Sequence, residues 1–522
     1  MTREGIRDHV DWQGNGFELC GEAPDGEMAL QLLRRPWRLR GPKPRPLAQN
    51  LETHSLAAAV LTGEAGRDRL CFVKQLDLDR TAVRSLYHVA GLPSRPKNAV
   101  SWDFASTLAL PVKSFMIGTR SKKLTLDETR LHNRRLVLRT IYDASGVRAA
   151  APISRADIAR ATGLTRTTSS VVVGEMIAAG LVDEIGQGPS AGGKPPTLLR
   201  FLPDSRYAIG IDLAGAVMRG GLYDLRGTPI RRVSAPLPEG ADGEFLSALY
   251  RLIDELIAGA GRPLLGIGVG APGLMDRPRG VILEAVNRGR QDLPLRDLLA
   301  GHYGLPVEVV NDSQAAALAE YTFGCAVPRT DLAVILVGRG ISAGLVLNGS
   351  LYSGGPAGGA GEIGHLRVVD GGELCTCGRF GCLETVAAER ALLRWARTVA
   401  RNDSASELAR LAGDGAAPPL DAILRAFQGG DETVARMVAQ LGHYLGIAIA
   451  NVAGLLSLPC IVLAGSLAAF GEALLDPIRA ELHERVLPAV AAATGVRVTA
   501  LGDDIVMSGA AALLLAAELG IA

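Results

Sequence analysis

Three cysteines, Cys375, Cys377 and Cys382, fall within eight residues in GELCTCGRFGCLE, and His365 lies upstream in GGAGEIGHLRVVDGG. Nine, one and four residues separate the successive members of this set. Three thiolates with one imidazole suit zinc in tetrahedral coordination, and four protein donors leave no open position for a reactive water, so the ion would be structural. Gly378 and Gly381 let the backbone turn tightly about it. A redox pair is the weaker alternative, because Cys375 and Cys377 are one residue apart instead of two and no thioredoxin-like strand–helix context surrounds them. Seven cysteines, an odd number, argue against a disulfide framework. Cys325 and Cys460 lie in apolar surroundings and read as packing residues, while Cys20 and Cys71 sit in a stretch of no assigned role.

A second set of residues carries a different chemistry. In TRTTSSVVVGEMIAAGLV, Thr165 reads as a helix cap, and Arg166, Thr167, Thr168, Ser169 and Ser170 form a hydrophilic first turn. Short hydroxyls and an arginine there suit a major groove, whose bases and phosphates both offer acceptors. An ordinary solvated helix start is the alternative. Lys194, in the Gly/Pro-rich tip of LVDEIGQGPSAGGKPPTLLRFL, is placed to enter a minor groove or touch phosphate, with a solvated loop lysine as the competing reading.

These groups need elements to hold them. Upstream of the second helix, ISRADIARATGL offers Ser154 as N-cap with Asp157 three residues on, Ile158 and Ala161 facing inward, and Gly163 as a stop. The helix–turn–helix and the two short strands after it read as a winged helix-turn-helix domain over residues 125–202. A preceding helix is expected around Leu131, Leu136, Leu138 and Ile141, with a basic face. Between Met116 and Arg200 there are 13 Lys/Arg against 7 Asp/Glu, although the whole chain of 522 residues carries a formal charge of only +1. That local excess suits a nucleic-acid partner. From residue 205 to 522 apolar strand-like runs alternate with helical stretches, and the order YAIGIDLAGAV…LLGIGVGAPG is echoed by DLAVILVGRGISAGLVLNG, so two comparable lobes with a ligand cleft between them are expected. Residues 1–115, with RRPWRLRGPKPRPLAQN, remain unassigned: one reading starts the natural chain near Met116, and the other makes the upstream part a disordered extension. The sequence has no apolar run of about 20 residues and no apolar stretch at its start, which places the chain in the cytoplasm, off any membrane.

GEIGHLRVVDGGELCTCGRFGCLE closely resembles the signature of the ROK family, bacterial sugar-responsive repressors and sugar kinases. The resemblance extends over roughly residues 125–522. It implies an α/β, two-lobed actin-like/hexokinase ATPase fold, preceded by an α+β winged helix-turn-helix domain that only the repressor branch carries. It also implies that the metal braces the loop presenting His365 to a sugar, and that Asn311, Asp312, Glu362, His365 and Glu384 hold the sugar hydroxyls. Carboxylates and an amide suit hydroxyls that both donate and accept. In a kinase of this kind Asp312 would be the general base, and glycine-rich loops would wrap the nucleotide phosphates. Here the loops depart from the kinase pattern. DLAGA has Ala214 for a glycine and Ala216 for a threonine; GRGISAG has Arg339 for a threonine and Ser342 and Ala343 for glycines; IVLAGSLAAFG is a worn adenosine-side turn.

The expectation is a DNA-binding regulator, most simply a repressor without enzymatic activity, released from a two-half-site operator by a sugar or sugar phosphate and acting as a homodimer or homotetramer. The main alternative is an ATP-dependent sugar kinase, for a hexose or N-acetylhexosamine, that carries an added DNA-binding domain. A third is a regulator that activates, or answers to a protein.

Overall fold

The computed structural model describes residues 17–23, 56–62, 68–75, 125–145, 152–189, 195–215, 217–238, 242–285, 289–324, 331–355, 358–403, 406–412 and 418–520. They fall into two units, Met1–Lys122 and Lys123–Ala522. In the first unit β1 (Phe17–Ala23), β2 (Leu56–Thr62) and β3 (Asp68–Gln75) form an antiparallel sheet in the order β1-β3-β2. The stretch that gave no domain assignment from sequence therefore contains paired strands. Met116 lies outside the described residues.

The second unit opens with α1 (Leu126–Ala144), β4 (Ile153–Ser154), α2 (Arg155–Thr162), α3 (Arg166–Ala178), β5 (Val182–Gln187) and β6 (Thr197–Phe201). Side chains start each of the three helices. Thr125 and Glu128 form a reciprocal capping box on α1, Ser154 and Asp157 form another on α2, and the Thr165 hydroxyl accepts from the Thr168 N–H at 3.1 Å on α3. Gly163, at φ 71°, ends α2 as expected. The strands pair in the order β4-β6-β5 beside the helices, and Leu138, Ile141, Ile158, Met176 and Leu199 are buried between them. Ala161, expected inward, is exposed, and Ala159 is buried instead; Leu131 on α1 is exposed as well.

Two lobes follow. The first holds β7 (Tyr207–Asp212), β8 (Val217–Asp224), β9 (Pro229–Pro236), α4 (Asp242–Ala258), β10 (Leu264–Ala271), a small sheet of β11 (Leu274–Asp276), β12 (Val281–Ala285) and β13 (Arg290–Leu293), then α5 (Leu295–Tyr303), β14 (Val307–Asn311) and α6 (Asp312–Thr322). The second holds β15 (Leu332–Val337), β16 (Ile341–Leu347), β17 (Ser350–Tyr352), α7 (Leu383–Ala387), α8 (Glu389–Asn402), α9 (Glu407–Ala412), α10 (Leu420–Gln428), α11 (Glu432–Leu456), β18 (Cys460–Ala464), α12 (Glu472–Arg485), α13 (Pro488–Ala493) and β19 (Gly495–Val498). Each main sheet has three antiparallel meander strands followed by two parallel ones, in the orders β9-β8-β7-β10-β14 and β17-β16-β15-β18-β19. The repeat expected from sequence is thus one topology used twice. By length and hydropathy α11 could cross a membrane, but Val438, Leu441, Leu445 and Ile449 on it are fully buried in the core of the second lobe.

The chain closes with α14 (Ile505–Leu514), which runs on into a π-helical turn, Leu515–Leu519. α14 packs on β7 and β10 of the first lobe, α6 packs on β15 and β16 of the second, and the two helices lie against each other. Their approach requires glycine: a Cβ on Gly509 would collide with the Ala315 carbonyl oxygen. The end of α14 also meets the three-helix module. Val137, Leu138 and Ile141 share one apolar core with Met507, Ala511, Leu514 and Leu519, and Arg135 Nη2 donates to the Ala517 carbonyl at 2.7 Å.

Arg226 fastens the same junction. Its Nη2 donates to the Tyr142 carbonyl at 2.6 Å, and its guanidinium lies 3.9 Å from the centroid of the Tyr142 ring. Replacing Arg226 by alanine should loosen the module by about 1–2 kcal/mol, the combined scale of a hydrogen bond and a cation–π contact. Hydrogen exchange should then be faster across residues 126–144, and unchanged exchange there would contradict this role.

Candidate functional site

A cavity of about 540 Å³ opens between the lobes, lined at one end by Asn311, Asp312, Glu362, His365 and Glu384 and at the other by Asp212, Ala214, Arg219, Arg339 and Ser342. The five residues expected to meet a sugar are therefore gathered on one wall system. Asn311 and Asp312 sit where β14 ends and α6 begins, at the carboxyl edge of parallel strands, where open α/β sheets place ligands. Asn311 is the cap of α6: its Oδ1 accepts from the Ser313 N–H at 2.9 Å and the Ser313 hydroxyl at 2.6 Å, while Nδ2 donates to the Gly273 carbonyl at 3.0 Å. Its acceptor is committed to the fold, which leaves an amide N–H to offer a ligand. Asp312 is 8% exposed, and one of its oxygens accepts from the Ser313 N–H at 2.7 Å.

Glu362 and His365 come from the loop and short 3-10 turn after β17. A Cβ at Gly361, which has φ 93°, would collide with the Ala343 carbonyl, so glycine lets this loop lie flat on β16. Burial pushes the Glu362 carboxyl above its usual range; His365 opposes that push and Glu384 adds to it. Glu384 begins α7, and its Oε1 accepts from the Ile341 N–H at 2.8 Å. Glu384 is thereby tied to the glycine-rich turn between β15 and β16.

His365 Nδ1 is 3.6 Å from Cys375 Sγ, Cys377 Sγ is 3.7 Å from Cys382 Sγ, and all four donor atoms lie within 4.8 Å of one another. The thiols are free, not bridged, and together with the imidazole they are able to hold a metal ion. Burial, with the neighbouring thiols, pushes Cys382 up to about 12, the strain expected of clustered thiols without a cation. Since Nδ1 faces the sulfurs, His365 presents Nε2 on the Glu362 side, 4.0 Å from its Oε2. Of the remaining cysteines, Cys460 is buried as expected, and Cys325 lies outside the described residues.

At the other end the substitutions differ in reach. Ala214, Arg339 and Ser342 line the cavity, whereas Ala343 is buried within β16 and presents nothing to it. Ala216 lies outside the described residues. Sequence reasoning passed over Arg219, which pairs with the fully buried Asp212. The two residues face each other across the β7–β8 hairpin, so the signal was an arginine seven positions after the loop aspartate, visible only once the hairpin register is known. Glu284, Glu389 and Asp503 also line the cavity and carried no motif; Ser466, from the adenosine-side turn IVLAGSLAAFG, lines it too.

On α3, Arg166, Thr167, Ser170, Val171 and Gly174 form the exposed face. Thr165 and Thr168 are engaged in the cap, their hydroxyls 2.8 Å apart. Ser169, expected on the outer surface, is instead fully buried. It lies three, four and seven residues before Val172, Val173 and Met176, on the inward stripe of the helix. Lys194 lies outside the described residues. For the metal cluster, Cys377→Ser should lose bound metal, measured by mass spectrometry of the native protein, and lower the unfolding temperature. Full metal retention would remove Cys377 from the ligand set.

The ROK family model matches residues 208–517. A xylose repressor of Caldicellulosiruptor bescii is 31% identical over 387 residues, 73% of this chain and 95% of the relative. Among solved structures, a ROK family transcriptional regulator described as a homolog of the E. coli MLC protein superposes with a TM-score of 0.65 at 26% identity, covering 75% of this chain and 98% of that one. A ROK glucokinase from Streptomyces griseus in complex with glucose and AMPPNP gives 0.54 at 30% identity, covering 59% of this chain and 98% of that one. Two lobes of repeated topology around a polar cleft, and a family model matching most of both, lead to one conclusion: the chain belongs to the ROK family.

Proposed function

We propose that this chain is a DNA-binding transcriptional repressor that a sugar or sugar phosphate releases from its operator. The observation that carries this reading is the union of two things in one unit: helix–turn–helix elements with a hydrophilic exposed face, and a cleft gathering Asn311, Asp312, Glu362, His365 and Glu384. The likeness to a xylose repressor, which runs over nearly that relative's whole length, supports it. The protein acts in the cytoplasm, as a homodimer or homotetramer whose paired modules meet two half-sites.

Zinc fits the four donors. With Zn–S near 2.3 Å and Zn–N near 2.0–2.1 Å, tetrahedral edges are about 3.8 Å between sulfurs and about 3.6 Å between sulfur and nitrogen, against 3.7 and 3.6 Å here. When bound, the ion neutralises the thiolates and stiffens the loop. His365 then keeps Nε2 for a sugar hydroxyl, Glu362 and Glu384 accept from neighbouring hydroxyls, and Asn311 donates. A pocket polar group left unpaired by the wrong epimer costs roughly 1–3 kcal/mol, which sets specificity.

A bound sugar at the start of α6 reaches the module through packing. α6 lies against α14, and the end of α14 shares a core with α1. Sugar shifts the module only insofar as it binds one lobe arrangement better than the other. On the DNA side, Arg166, Thr167 and Ser170 face base edges and phosphates, Thr165 and Thr168 hold the helix start, and Lys194 serves the wing.

A second reading, a sugar kinase with an added DNA-binding module, draws on the likeness to the glucokinase bound to glucose and AMPPNP. Against it, the Ala214 N–H donates to Asp212 Oδ1 at 2.8 Å instead of facing a phosphate, and the Arg339 side chain stands in the second loop. A coupled ATP-consumption assay over a sugar panel decides: turnover on the order of 1–100 per second would make the protein a kinase.

The direct test is a gel-shift titration on the DNA upstream of the chain's own coding region, with that same panel. Binding that one sugar relieves is the expected result. Arg166→Ala should weaken operator binding by about 1–3 kcal/mol while leaving sugar affinity unchanged, because the two sites lie on separate elements. Equal losses in both would contradict the assignment.

A further inference from the structure

The kinase pattern would wrap nucleotide phosphates, with their metal ion, in the glycine-rich loop that follows Asp212, and the residues present do not fit that arrangement. Asp212 is fully buried, and a buried carboxylate demands a cation. That demand is already met within the chain. Asp212 Oδ2 accepts from Arg219 Nη2 at 2.6 Å and from Nε at 3.2 Å, and Oδ1 accepts from the Ala214 N–H. The partnership is set by strand register, since Asp212 and Arg219 are directly paired across the hairpin. Arg219 Nη1 also lies 3.7 Å from Asp503 Oδ2, in the turn that leads into α14.

We propose that the Arg219 guanidinium is a built-in replacement for a divalent cation. It bridges Asp212 and Asp503, closes this end of the cleft to metal–nucleotide, and anchors the start of α14 without any bound ion. A hard cation must take carboxylate oxygens at about 2.0–2.1 Å, and the face of Asp212 that would supply them is turned to the guanidinium. Arg219 is thus a specificity-determining residue: it decides whether the cleft accepts sugar alone or sugar with metal–nucleotide. The inference rests on the reading of the opposite end as the sugar end.

The test uses the full chain, its Asp212→Asn and Arg219→Ala variants and the Asp212→Asn/Arg219→Ala double variant. Each is titrated with Mn2+, with free metal read by electron paramagnetic resonance, and melted with and without Mg2+. The parent should leave the free Mn2+ signal unchanged by Asp212, and Arg219→Ala should bind Mn2+ at least about tenfold more tightly. That variant should also recover melting temperature when Mg2+ is added. The double variant, with both charges gone, should fold and lose the added binding. Should Arg219→Ala not fold, Arg219→Gln, which keeps a donor to Asp212, carries the same comparison.

Mn2+ bound to the parent and lost with Asp212→Asn, or a folded Arg219 variant with no gain in Mn2+ affinity, would overturn the proposal. Sugar-driven operator release, measured on the same parent protein, separates the two readings. An overturned cation result with intact release condemns only the role of Arg219, and absent release with the expected Mn2+ pattern condemns only the regulator.

Discussion

Three thiols and an imidazole held within 4.8 Å of one another form a cluster able to hold a metal ion. The proposed sugar end of the cleft is joined to that cluster. His365 belongs to both, Glu362 precedes it in the same loop, and Cys382 caps the helix whose second residue is Glu384. Burial and the neighbouring thiols keep Cys382 protonated when no cation is bound, and a bound ion would stiffen the loop that carries Glu362 and His365. An ion remote from any chemistry would in this way set the geometry of a hydroxyl-binding pocket.

The two ends of the cleft solve one electrostatic problem differently. At the proposed sugar end burial raises the Glu362 carboxyl and Glu384 adds to the push, while Glu384 itself pairs with Arg390 at 3.5 Å. At the far end Asp212 is compensated within the chain by Arg219. On the proposed reading, a cleft built this way rewards a neutral polyol and gains nothing from metal–nucleotide. Asp503 and Asp504, tied to Arg219 and Arg232, stand at the root of α14, so the closed end also holds the helix that meets the three-helix module.

Much of this was legible in the residues because local rules act alone there. Ser154, Asp157 and Gly163 cap and stop α2 through groups three residues apart or through a single φ, and the cysteine spacing brings four donors together within one loop. What was misread depended on rotation about a helix axis or on partners distant in sequence. Ser169 looks like a surface hydroxyl beside Arg166 and Thr167, although it lies three and seven residues before Val172 and Met176, whose apolar stripe the sequence shows. Ala159 and Ala161 are chemically identical, and only packing chooses between them. Arg219 is silent until the β7–β8 register sets it opposite Asp212. Residues 17–75 gave no alternation strong enough to read, yet three segments there pair as strands.

The central claim is a cleft that keeps its sugar grip while refusing nucleotide. Isothermal titration of the metal-replete protein with a panel of pentoses and hexoses, repeated in the presence of Mg-AMPPNP, tests it most directly. The account predicts saturable heat from at least one sugar, unchanged by nucleotide, and no heat from Mg-AMPPNP alone. Saturable nucleotide heat, or sugar binding that appears only when nucleotide is present, would contradict it.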